Sequence, residues 1–351
     1  MAKFYYGGQA VMEGVMMRGR KNMAVAVRAP SGEIIVHHEP LNNALYTNPV
    51  MRLPLLRGLV ALWDALGLGT KALMFSANVA LEDEAKKEAD TASVDKGAAQ
   101  SAAPQKDKAP AKGTDSFGPV AWTSIVVALG FMVGIFFVLP VLAAALFGVV
   151  TGNDSGLAHN LVEGVIRLAL FLGYIWAIGF MPDIKRTFGY HGAEHKTINA
   201  YEAGVELTPE NVQKFTLLNP RCGTTFLLIV MLLATLLFIV IGKMPFALTL
   251  VSRIVLVPVV ATVAYEFIRL MANMYGNPVV RAILAPGLAL QKMTTRPPDL
   301  SMLEVGIVAL KAVLVADGVV QESSSTAPQL TQITQPAQGT QAAYTEPAEA
   351  S

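Results

Sequence analysis

The chain has 351 residues, 53% of them hydrophobic and only 15% charged, which is too apolar for an ordinary soluble domain of this length. A net charge of +1, with no basic tract interleaved with aromatics, argues against a nucleic-acid partner. The single cysteine, Cys222, excludes an internal disulfide and a zinc site built from four cysteines of one chain.

Residues 1–81 read as a polar, glycine-rich unit. Residues 1–19 lack the continuous apolar core of a secretory signal. Residues 7–14, G-G-Q-A-V-M-E-G, match no phosphate or dinucleotide fingerprint and carry too little strand or helix signal to form an element. Their glycines suit close backbone approach, with Glu13 or Arg18 offering a charge to a nearby site. Residues 23–27 and 33–38 read as two strands joined at Pro30-Ser31-Gly32, a β-hairpin. Residues 53–77 are apolar at helical spacing, with Arg57, Asp64 and Lys71 recurring on one side. Two placements stay open: an amphipathic helix on the cytoplasmic leaflet, or a helix packed on the domain core.

Residues 82–116, rich in Ala, Lys, Asp and Pro, hold too few large apolar side chains to build a core and read as a disordered linker. Residues 117–272 read as a four-span membrane domain. Residues 116–153 carry no charge over 38 positions and residues 222–242 none over 21, where about 20 apolar residues cross a bilayer as a helix. Pro140 allows the first run to be one kinked helix or a span plus a re-entrant piece. Residues 157–181, interrupted by Glu163 and Arg167, and residues 244–268, interrupted by Arg253 and Glu266, complete the set. Glu163 and Arg167 are four apart and can pair along the helix.

Lys and Arg number 14 before Phe117, five in the motif segment 182–221 and four after Ala272, which predicts that all three lie in the cytoplasm, with both termini inside and four spans between them. Residues 273–320 form a C-terminal cytoplasmic segment with a short amphipathic helix at 302–316, and residues 321–351 a disordered tail.

Chemistry concentrates in Y-H-G-A-E-H-K, residues 190–196. On a helix, His191 and His195 lie one turn apart on the same face and can reach one metal ion, a divalent cation such as zinc. Glu194 is placed beside them as a general base or as an outer partner of a ligand. The alternative is a solvated loop whose histidines cap or pair with Glu194. If the spans end where hydropathy suggests, Arg221, Cys222 and Glu266 reach the same membrane face. Glu266 completes a set of two histidines and a glutamate, or else pairs with Arg269. Cys222 is a ligand or nucleophile beside Arg221, or a small buried residue at a helix start.

The motifs G-G-Q-A-V-M-E-G-V-M-M-R near the N-terminus, P-L-L-R-G at 54–58, Y-H-G-A-E-H-K, N-P-R-C-G-T at 219–224 and E-F-I-R at 266–269 resemble the YqhQ-like family of bacterial membrane proteins. The resemblance covers residues 4–80 and 117–316. It implies a domain of unknown function described as a predicted metal-dependent enzyme, with no established catalytic residues. Soluble peptidases carrying H-x-x-E-H are much longer and unlike this chain, so the motif points to a metal site more than to proteolysis. Three functions follow as expectations: a metal-dependent hydrolase acting on a membrane-associated substrate, a non-catalytic scaffold or assembly factor, or a transporter using Glu163, Arg167, Arg253 and Glu266.

Overall fold

A computed structural model describes residues 6–41, 48–95, 119–153 and 155–320. Four strands, β1 (Gly7–Val11), β2 (Gly14–Arg18), β3 (Asn22–Arg28) and β4 (Ile34–Pro40), form an antiparallel meander in sequence order. The β3–β4 hairpin is the one expected, with Val25 opposite His37. The glycine-rich stretch, expected to form no element, is the β1–β2 hairpin. The reason it was illegible lies in the packing: β2 is buried on both faces, so its side chains do not alternate between apolar and polar.

One face of the sheet, through Val15, Met17, Ala24 and Ala26, packs on α5 (Pro182–Glu202) and α10 (Leu300–Ala316). The other face, through Val11, Met16, Val25 and Val27, packs on α1 (Leu56–Asp95). The N-terminal sheet is therefore one layer of a unit whose core helix comes from the far end of the chain. Asp317, just past α10, fastens the two together. Its carboxylate accepts the backbone N–H groups of Arg20 (2.6 Å), Lys21 (3.0 Å) and Asn22 (3.1 Å), the turn that opens β3. A Cβ at Gly19 would sit 2.3 Å from that carboxylate, so only glycine allows the approach. Asp317→Ala is expected to lower stability by about 1–2 kcal/mol, read as a drop in the thermal midpoint of the detergent-purified protein.

The apolar helices are α2 (Pro119–Val133) and α3 (Leu139–Thr151), joined by a π-helical turn at Gly134–Val138, then α4 (Gly156–Ile178), α7 (Gly223–Ile241) and α8 (Phe246–Asn273). The short α6 (Pro209–Gln213) follows α5, and α9 (Pro278–Thr294) packs on α7. Among the described residues, five stretches are long and apolar enough to cross a membrane: Leu56–Asp83, Val126–Thr151, α4, α7 and α8. The run at 116–153 is thus one continuous helical stretch from Pro119 to Thr151. Pro140 has no N–H to give to the carbonyl of Phe136, and Arg167 Nε fills that vacancy from α4 at 3.0 Å.

The fifth such stretch is the helix read as amphipathic. Its first turns lie on α8, where Gly58 meets Thr262, and from Asp64 onward it follows the sheet, with Ala72 and Val79 in the sheet's core. Ser76 Oγ donates to the Met12 carbonyl at 2.6 Å. Leu59, Trp63, Leu66 and Leu73 form an uncovered stripe on the outer side. The helix also continues through Asp95, into the segment read as linker. The rest of that segment, from residue 96 to 116, and the tail at 321–351 fall outside the described residues.

Candidate metal centre

Helix α5 carries His191 and His195 one turn apart, as the spacing requires, with ring centroids 4.4 Å from each other. His191 donates from Nδ1 to the Thr294 carbonyl at 2.8 Å, and His195 donates from Nδ1 to the Leu217 carbonyl. A carbonyl oxygen can only accept, so both rings carry the proton on Nδ1 and present the lone pair of Nε2. This is how backbone groups fix the tautomer of metal-ligating histidines. His195 is 1% exposed, and its Nε2 is buried without a hydrogen-bond partner. A buried imidazole nitrogen left without a hydrogen bond is costly.

Cys222 supplies the third group. It is the residue capping the start of α7, buried, with Sγ 3.2 Å from His191 Nε2 and 3.2 Å from Thr224 Oγ1. The ligand atoms of His191, His195 and Cys222 all lie within 4.8 Å of one another, so these three could hold a metal ion. Cys222 arrives there because its loop is pinned. Gln291 of α9, fully buried, accepts from Asn219 N at 3.0 Å and donates to the Asn219 carbonyl at 2.7 Å and to Thr225 Oγ1 at 2.9 Å. Gly192 allows the chain at Arg296 to approach α5, since a Cβ there would lie 2.2 Å from the Arg296 carbonyl. Neither Gln291 nor Thr294 stands out in the sequence, because each acts through contacts with a distant loop.

Glu194 flanks the cluster, its Oε2 3.6 Å from His195 Nε2 and 3.9 Å from His191 Nε2. Burial raises its carboxyl to about 7, opposed by His191, by a hydrogen bond from the Gly8 N–H and by the charge of Arg221. Of the N-terminal glycines, Gly8 makes the close backbone approach expected of them. A Cβ there would sit 2.6 Å from Glu194 Cγ, so strand β1 can lie against the carboxylate only as glycine.

Glu266 does not join the cluster. Its carboxylate receives Arg57 Nε at 2.6 Å, Arg57 Nη2, and the Leu55 N–H at 3.3 Å. The group that could hold a metal ion is thus two histidines and Cys222 rather than two histidines and Glu266, and Glu266 hydrogen-bonds Arg57, with Arg269 acting on it through its charge. The P-L-L-R-G motif now has a physical meaning. Leu55 takes a left-handed φ of 73°, which aims its N–H and Arg57 at Glu266 while Gly58 lets α1 touch α8. The other named residues hold other partners. Glu13, at the β1–β2 turn with φ 52°, binds Arg186 at 2.5 and 2.6 Å and accepts from Tyr190 OH at 3.2 Å. Arg18 binds Asp64 at 3.2 Å, and Arg221 binds Glu202.

Fold and site define an apolar, mostly helical protein with a small sheet layer and a buried His–His–Cys cluster. The chain belongs to the family described as Protein of unknown function (DUF1385), which matches residues 53–316. It is 31% identical over 318 residues to the Uncharacterized protein YqhQ of Bacillus subtilis (strain 168), spanning 91% of this chain and 95% of that protein. The YqhQ-like resemblance read from the motifs is therefore upheld. No solved structure matches this chain.

Proposed function

We propose that this protein is a metal-dependent enzyme of the bacterial cytoplasmic membrane, holding one divalent cation, zinc by donor chemistry, through His191 Nε2, His195 Nε2 and Cys222 Sγ. Four helical passes, residues 119–151 and helices α4, α7 and α8, cross the bilayer. Both termini and the metal centre then lie on the cytoplasmic side, where the Lys and Arg excess falls. The single observation that carries the metal reading is the buried, unpartnered Nε2 of His195 facing a second imidazole nitrogen and a thiol.

Zinc held by two nitrogens and a thiolate supplies Lewis acidity toward a carbonyl or phosphoryl oxygen. The residues of the chain do the rest. Thr294 and Leu217 hold the rings in the tautomer that binds. Glu194 takes the proton of an attacking water and returns it to the leaving group, which makes hydrolysis the reaction class that fits. The near-complete burial of Glu194 and His195 limits bulk water at the centre. The transport reading loses support from the bundle interior: Glu163 and Arg253 pair at 2.7 Å, but each is 1% exposed, so they form a sealed contact rather than a wet pathway. A scaffold needs no metal, so metal content separates it from the enzyme.

The test is metal analysis by plasma mass spectrometry on protein purified in detergent without chelators. About one equivalent of metal is expected in the wild type. His191→Ala and His195→Ala should lose it, while Glu194→Gln should retain it. Wild-type protein without bound metal, or histidine variants that keep it, would overturn the reading.

A further inference from the structure

Beside the sheet, on the side away from the histidines, lies an open cavity of about 650 Å³ between β1, β2, the first turns of α1 and the end of α8. Three arginines line it, Arg18, Arg57 and Arg269. Arg18 is answered by Asp64 and Arg57 by Glu266. Arg269 is exposed, and its charge acts on Glu266 beside that of Arg57. Of the charged residues that line the cavity, three are arginines and one is Asp64. The remaining wall is mostly apolar, made by residues such as Val60, Leu68 and Tyr265. Gln9 adds an uncommitted amide: its side chain lies over Gly69 of α1, where a Cβ would be 2.4 Å from its Oε1.

A pocket with an excess of arginine at one place and an apolar wall elsewhere matches an amphiphile with an anionic head. Arginine forks suit phosphate oxygens in particular, where two parallel N–H groups can meet two oxygens. Val60, Ala61, Ala65 and Leu68 of α1 give the cavity an apolar wall of its own, against which the start of an acyl chain can lie. We propose that this cavity binds the phosphate head of an anionic membrane lipid, held by Arg18 and Arg269. The inference rests on the reading that α8 spans the bilayer, which puts Tyr265 and Arg269 at a membrane surface. It does not rest on the metal centre, since none of the residues that hold the head is a metal ligand.

The experiment uses the full chain, purified in detergent and delipidated, with bound lipid counted by native mass spectrometry. Dioleoyl phosphatidylglycerol is expected to occupy the protein at a concentration about tenfold or more below dioleoyl phosphatidylcholine. Arg18→Gln combined with Arg269→Gln should remove that preference. Ala61→Phe, which fills the cavity without touching its charge, should weaken phosphatidylglycerol binding about tenfold. Arg281→Gln, an exposed charge on α9 outside the cavity, should change nothing. Equal binding of the two lipids, or unchanged preference in the double variant, would overturn the proposal. So would equal lipid binding together with thermal stabilisation by millimolar sodium phosphate alone, which would assign the arginines to a free anion. Extraction of membranes with alkaline carbonate separates the premise from the proposal. Release into the supernatant sinks the membrane reading and the proposal with it, whereas retention without lipid preference sinks only the proposal.

Discussion

Glu163→Gln is expected to destabilise the helical bundle by about 3–5 kcal/mol, the cost of leaving buried charge without its partner. The Glu163 carboxylate receives Arg253 Nε at 2.8 Å and Nη2 at 2.7 Å, and it also receives Arg167 Nη2. Both arginines are buried, and Arg253 stacks its guanidinium 3.6 Å from the centre of the Phe238 ring. The amide oxygen of Asn160 takes a further Arg253 N–H at 3.0 Å, and the Phe136 carbonyl takes Arg167 Nε. Every one of these partners except Glu163 is neutral. A glutamine keeps the shape and one or two hydrogen bonds, but it leaves two positive charges in an apolar interior with nothing of opposite sign. The measurement is the thermal midpoint and the monodisperse yield in detergent. A variant that melts with the wild type would show that water or an anion already reaches the cluster.

Cys222→Ala should lower metal affinity by at least about a hundredfold, more than the tenfold to hundredfold that follows loss of an outer partner. It is the one cysteine of the sequence, and its Sγ lies 3.2 Å from His191 Nε2. The fold should tolerate the change, because the Cys222 loop is held by Gln291 and by Asn219, whose side chain accepts from Arg221 N at 3.0 Å, and neither contact involves sulfur. Competition with a chromophoric chelator measures the affinity. Gln291→Leu gives a useful contrast, since it should weaken metal binding through the displaced loop while leaving all three donors in the chain. Glu266→Gln should leave affinity unchanged, and a loss there equal to that of Cys222→Ala would restore Glu266 as a ligand.

How far the sequence carried the argument differs from element to element. The uncharged runs at 116–153 and 222–242 announce their helices because apolar length is a property of the chain alone. The β3–β4 hairpin is legible from its turn. The β1–β2 hairpin is not, because a strand covered on both faces loses the period-two signal. Helix α1 runs beyond the apolar stretch through Ala, Glu and Lys, good helix formers whose low hydrophobicity reads as disorder when only burial is considered. At the site, helical spacing alone sets the two histidines side by side. The choice of third ligand needed more. Hydropathy gives the depth of Glu266 along its helix but not the side of the helix it occupies, and that side faces Arg57. That Cys222 lies beside His191 depends on the loop before α7, which Gln291 of α9 holds through Asn219, and no spacing in the sequence announces it. Gly8 is the counterexample. The glycine pair suggested close approach, and the carboxylate it approaches is Glu194.

The most direct test of the metal centre is the absorption spectrum of the cobalt-substituted protein. Cobalt(II) takes the place of zinc at sites of this donor type, and a thiolate bonded to it gives an intense near-ultraviolet charge-transfer band. The account predicts that band at one cobalt per chain in the wild type, its disappearance in Cys222→Ser, and its persistence in Glu266→Gln. A wild-type protein that takes up cobalt without the band, or a Cys222→Ser variant that keeps it, would contradict a centre built from His191, His195 and Cys222.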